Sequence, residues 1–170
     1  MIEQFLVKAK MTVQQESGAF KRVTNSYIVP AFTFSMGEER IYKELETIVR
    51  GEFSVVSMAK YDVHEIFSYD DTGVWYVCKI TFEGAMEDEK SKKVTQKFLV
   101  EAESVPNAHD RLKESLDGTL IDYVVDSVVV TNIEEVFFPL EDLDKELSRV
   151  KFEDSEPVDY VGEALIDELN

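Results

Sequence analysis

Residues 5–13 alternate strictly, with Phe5, Val7, Ala9, Met11 and Val13 on one side and Lys8, Lys10 and Thr12 on the other. That period of two is the mark of a half-buried strand. Ser17 and Gly18 in "ESGAF" supply a reversal, and the Thr/Tyr/Ile/Val/Phe-rich stretch at about 21–34 predicts a second strand forming a hairpin with the first. Ser35 stands three residues before Glu38, a capping-box spacing, and Ile41, Leu45 and Ile48 then recur at helical intervals until Gly51. An apolar strand at about 52–60 and a short apolar turn, "HEIF", complete a ββαβ unit.

The same pattern returns about 70 residues later. "KRVTNSYIVPA" from Lys21 matches "KKVTQKFLVEA" from Lys92, and "LVKAKMTV" from Leu6 faces "WYVCKITF" from Trp75, which sets Lys10 on Lys79 and Cys78 on Ala9. Arg40 falls on Arg111 and Leu45 on Leu116, while "FSVVSMAKYDVHEIF" faces "YVVDSVVVTNIEEVF". In the second unit Ser104 caps a helix with Pro106 in its first turn, and Asp117-Gly118 stops it. Four matched blocks in one order predict a tandem duplication. One unit of about 65 residues buries too little surface to be stable alone, so the two are expected to share a core.

The expected fold is therefore α+β: residues 1–68 and 74–137 as two ββαβ repeats in one joint body, with pseudo-two-fold symmetry, six strands and two main helices packed together. "YDDTG" at 69–73 is the linker. Residues 138–170 are expected to add a short helix, built on Leu140, Leu143, Leu147 and Val150, and an acidic tail.

Charge changes the picture unevenly. The net charge is −17, yet residues 1–69 carry only −1, whereas 70–137 and 138–170 carry −8 each. Such a chain repels polyanions unless its cations are segregated on one face. The first hairpin segregates them: Lys8, Lys10, Lys21 and Arg22, with Phe20 and Tyr27 nearby, are the candidate nucleic-acid-binding strip. The single cysteine, Cys78, has no partner for a disulfide within the chain, and neither a signal-peptide pattern nor a span of roughly 20 apolar residues occurs. A cytoplasmic protein outside the membrane is expected.

At the quoted strand and the helix after it, "KKVT", "LV" and the following "E.R" resemble an uncharacterised family of small proteins from gut anaerobic bacteria and their phages. The resemblance runs from Phe5 to Phe137, anchored on "VWYVCKITF", "KKVTQKFLVEA" and "GEFSVV". It implies a bacterial or phage origin, and it brings no catalytic residue, cofactor or partner.

Marks of an enzyme are few. His64 and His109 have no ligand at metal-binding spacing, and no P-loop, GxSxG or GxGxxG occurs. Glu134/Glu135 and Asp70/Asp71 are read as solvated turn acids, Cys78 as a buried small apolar residue, and Arg40 and Arg111 as helix braces against carboxylates such as Glu44. No catalytic residue, metal or cofactor is expected. From Phe152 onward the tail has seven acids and no base. Val158, Val161, Leu165 and Leu169, with Tyr160, fall near helical spacing there, as in a segment that docks in a partner's groove. The leading expectation is a non-enzymatic binding protein near single-stranded nucleic acid, with a protein partner on the tail. An acidic DNA mimic antagonising a host enzyme, and a homo-oligomeric virion or assembly component, are the alternatives.

Overall fold

The computed structural model describes residues 1–84 and 92–139. Eight strands and two helices fill them: β1 (Glu3–Gln14), β2 (Phe20–Ala31), α1 (Phe34–Ile48), β3 (Phe53–Lys60), β4 (Glu65–Phe67), β5 (Trp75–Glu83), β6 (Lys93–Glu101), α2 (Val105–Ser115), β7 (Tyr123–Val130) and β8 (Ile133–Val136). Residues Met1–Phe137 form one compact unit. The tail residues Val158, Tyr160, Val161, Leu165 and Leu169, and the helix expected after Phe137, lie outside the described residues.

The strand count corrects the expected six. "HEIF" and "EEVF" are not turns that end each repeat but the strands β4 and β8, and each joins the sheet of the other repeat. The sheets run β3-β1-β2-β8 and β7-β5-β6-β4. β8 lies parallel to β2, with Tyr27 opposite Glu135 and Ile28 opposite Val136. β4 lies parallel to β6, with Phe98 opposite Glu65 and Leu99 opposite Ile66. These registers are equivalent, so the chain is a pseudo-repeat with reciprocal strand exchange. The last ring of each short strand stacks across the exchange: Phe137 on Tyr27 at 6.0 Å between centroids, and Phe67 on Phe98 at 5.6 Å.

The hairpin registers move one alignment. Phe5 pairs with Val29 and Tyr76 with Val100, a constant offset of 71, so Lys79 is the counterpart of Lys8 rather than Lys10. The β-bulges agree, falling between Lys8 and Ala9 in one sheet and between Lys79 and Ile80 in the other. A slip of two residues leaves every side chain on its face, so the burial pattern alone could not expose it.

Each helix covers one face of its own sheet. α1 lies against β1 and β2, and α2 against β5, β6 and β7. Ile41 and Leu45 of α1 pack on Val7 and Val29, all fully buried, and Leu112 of α2 packs with Cys78 and Val100. The cap of α1 is Thr33, whose hydroxyl accepts from the Met36 amide at 3.2 Å, and not Ser35; the helix ends at Ile48, before Gly51. Ser104 caps α2 as the sequence predicts, accepting from the Asn107 amide at 3.2 Å. One compensation separates the halves. A Cβ on Gly37 would meet Met58 Cε at 2.5 Å, whereas the matching helix position is Ala108, packed beside the shorter Val128.

What joins the halves is a separate cluster on the sheet faces that carry no helix. Ile28 and Leu99 are equivalent and both fully buried, and around them lie Ile133, Val136, Val63, Ile66, Leu6, Tyr61 and Trp75. Val63 matches Ile133, and Ile66 matches Val136, so this core is assembled from the same positions taken twice. Shared burial of this kind supplies what one repeat lacks.

Candidate functional site

Away from that cluster, toward the hairpin tips, the helix-free face of each sheet turns polar. In the first sheet Lys8 sits between Ser26 and Ser57, Lys10 between Thr24 and Ser54, and Thr12 opposite Arg22. Directly paired residues share a face, so Lys8, Lys10 and Arg22 stand together. Lys21 does not join them: it pairs with Val13, on the helix-side face. Lys10, Arg22, Thr12 and Ser54 also line a recess of about 220 Å³ with Glu52 and Phe53.

The second sheet repeats the arrangement with residues that sequence reasoning did not select. Lys79 is opposite Lys97, Thr81 opposite Thr95, and Glu83 opposite Lys93. Lys79 and Lys97 place like charges across one pair, an unfavourable arrangement on an isolated sheet. None of Lys8, Lys10, Arg22, Lys79, Lys93 or Lys97 makes an ion pair among the described residues, whereas Lys60 is held by Glu3 at 2.7 Å and Lys43 by Glu39 at 2.9 Å. Six cations in an acidic chain are thus gathered on two equivalent faces, with Glu83 opposite Lys93 and Glu52 beside Lys10 but no ion pair to any of the six among the described residues.

The 69–73 linker is a built structure. Glu101, only 4% exposed, accepts from the backbone amides of Tyr69 (2.8 Å), Asp71 (3.2 Å) and Gly73 (3.2 Å). Arg111 lies over the Tyr69 ring at 4.1 Å, donates to the Glu101 carbonyl at 2.8 Å, and forms a bidentate pair with Asp71. Asp71 is therefore not the free turn acid expected of it. Arg40 does brace its own helix, reaching Glu44 at 3.4 Å.

Hydrogen bonding from the Arg111 guanidinium holds the Asp71 carboxyl below its ordinary range. A carboxyl with a lowered folded pKa contributes stability above its unfolded value, near about 4, and loses it as pH falls through the folded value. Asp71→Asn is expected to reduce stability near neutral pH and to match the parent more closely once both carboxyl states are protonated. Urea midpoints of the two proteins along an acid series check this.

Cys78 is fully buried, and burial pushes its thiol up to about 11, the reverse of what a nucleophile needs. His64 packs edge-on against Phe98 at 5.4 Å, and no group of three metal-ligating side chains occurs among the described residues. No helix among them is long and apolar enough to cross a membrane. Glu134 and Glu135 correct their reading as turn acids, since both belong to β8.

Fold and surface together define a duplicated α+β module in which the hairpin-tip end of each helix-free face carries a group of cations. The chain belongs to the domain of unknown function family DUF4494, whose model matches residues 3–140. No curated protein matches it.

Proposed function

We propose that the duplicated body is a non-enzymatic binding module for single-stranded nucleic acid, contacting the phosphate backbone through the polar hairpin-tip ends of its two helix-free faces. The observation that carries this reading is the segregation of Lys8, Lys10, Arg22, Lys79, Lys93 and Lys97 onto equivalent helix-free faces without an ion pair among the described residues. Cations placed so gain from a polyanion without first breaking internal salt bridges. The Ser and Thr hydroxyls between them, Thr24, Ser54, Ser57, Thr95 and Ser127, add neutral donors of the kind that contact phosphate oxygens. Phe20, 73% exposed at the start of β2, offers a ring for base stacking.

The wider setting of the reading is a protein of bacterial or phage origin, as the opening resemblance implies, working in the cytoplasm, as its single cysteine suggests. Its acidic tail engages a protein partner through Val158, Tyr160, Val161, Leu165 and Leu169. The net charge of −17 favours a second reading, an acidic antagonist that presents carboxylates to a protein with a basic groove. The two part at one experiment. Fluorescence anisotropy with a labelled single-stranded oligonucleotide, titrated at several salt concentrations, should show affinity falling steeply with salt. Lys8→Gln/Lys10→Gln/Arg22→Gln should flatten the log–log slope by about 2, given roughly 0.7 per phosphate contact on a single strand. No binding at low salt removes the proposal and leaves the antagonist.

A further inference from the structure

A cavity of about 620 Å³ lies on the other side of the first hairpin, between the end of α1, the β1–β2 tip and the start of β8. Its position belongs to the fold, because a cavity of about 310 Å³ stands at the equivalent place in the second half. Glu135 and Tyr27 on one side correspond to Glu65 and Phe98 on the other, Asn25 to Gln96, and Ile48 to Thr119. Two differences give the first cavity its own chemistry. Met11 stands where the second half has the bulkier Phe82, and Glu134 stands where it has His64.

The first cavity therefore has an apolar part, formed by Met11, Ile48 and Val49, and an acidic rim formed by Glu134 and Glu135. Neither carboxylate has an ion pair among the described residues. Partial desolvation, then the charges of Glu44 and Glu134, raise the proton affinity of Glu135. Tyr27, 2% exposed, donates its hydroxyl to the Met11 sulfur at 3.9 Å, a weak acceptor, and its oxygen accepts from the Asn25 side-chain amide at 3.5 Å. Arg50 also lines the cavity, and it forms no ion pair with either glutamate. A volume of this size suits a small organic molecule or one long side chain.

We infer that this cavity binds an amphipathic organic cation, its apolar body against Met11, Ile48 and Val49 and its ammonium at Glu134 and Glu135. The ammonium places positive charge where two carboxylates lack it, and the Tyr27 oxygen is a further acceptor for its protons. Arg50 opposes the cation, which fixes the sign of its substitution. The cavity shares Phe20 and Thr12 with the nucleic-acid face, but the carboxylates and apolar residues assigned to the cation lie outside that face.

Phenethylamine is a suitable probe, beside 2-phenylethanol as the uncharged counterpart and 3-phenylpropionate as the anionic one. Titration of the full chain, followed by NMR through the methyl signals of Met11, Ile48 and Val49, should show saturable binding of the amine about tenfold tighter than of the alcohol. Glu134→Gln/Glu135→Gln, at two exposed positions, should abolish that preference while the rest of the spectrum stays unchanged. Arg50→Gln should tighten the amine. Equal binding of amine and alcohol, preference for the carboxylate, or no saturable shift with any of the three overturns the assignment.

Discussion

Leu99→Ala is expected to lower the stability of both halves of Met1–Phe137 together, by about 3 kcal/mol. Leu99 is fully buried on the helix-free face of the second sheet, and it meets Ile28 from the first sheet together with strands β4 and β8. A cavity there removes contacts from both repeats at once, because the cluster belongs to neither alone. Ile28→Ala should do the same from the other side, and the two losses should not simply add, since the residues share one cavity. Truncating Leu112, on the buried side of α2, should cost a similar amount through a different cluster. Guanidinium unfolding measured on the three variants gives the comparison.

The second large effect is expected at Glu101. Its carboxylate takes three backbone amides of the linker, and Arg111 is fixed beside it by the Glu101 carbonyl and by Asp71. Glu101→Ala removes the acceptor for all three amides, a loss of about 3 kcal/mol when bonds to a charged group are counted and partial rehydration of the loop is allowed. Glu101→Gln keeps one acceptor oxygen and should cost roughly half as much. Hydrogen exchange at Tyr69, Asp71 and Gly73 should speed up in both variants, and most in the alanine one.

The sequence carried the hairpin–helix–strand order of each half, because period-two and period-four burial patterns are strong in β1, β2 and α1 and recur at a constant spacing. It carried the separation of Lys8 and Lys10 from the buried side of β1 for the same reason. β4 and β8 were not legible as strands: three or four residues hold no readable period, and their hydrogen-bond partners lie in the other repeat. Lys21 was grouped with Arg22 by adjacency, whereas neighbours along a strand point to opposite faces. Lys93 and Lys97 become visible as a set with Lys79 only once the β5–β6 register is known. Glu101 gave no signal, because the matching position in the first half is Pro30, and three of its bonds run to a loop about 30 residues away.

The reciprocal exchange makes a demand that one measurement answers. In native-state hydrogen exchange of Leu99→Ala, the slowest amides of β1 and β2 should lose as much protection free energy as those of β5 and β6, although the substitution lies in the second half. If β1 and β2 keep parental protection while only β5 and β6 are weakened, the halves are independent and the shared interior is contradicted.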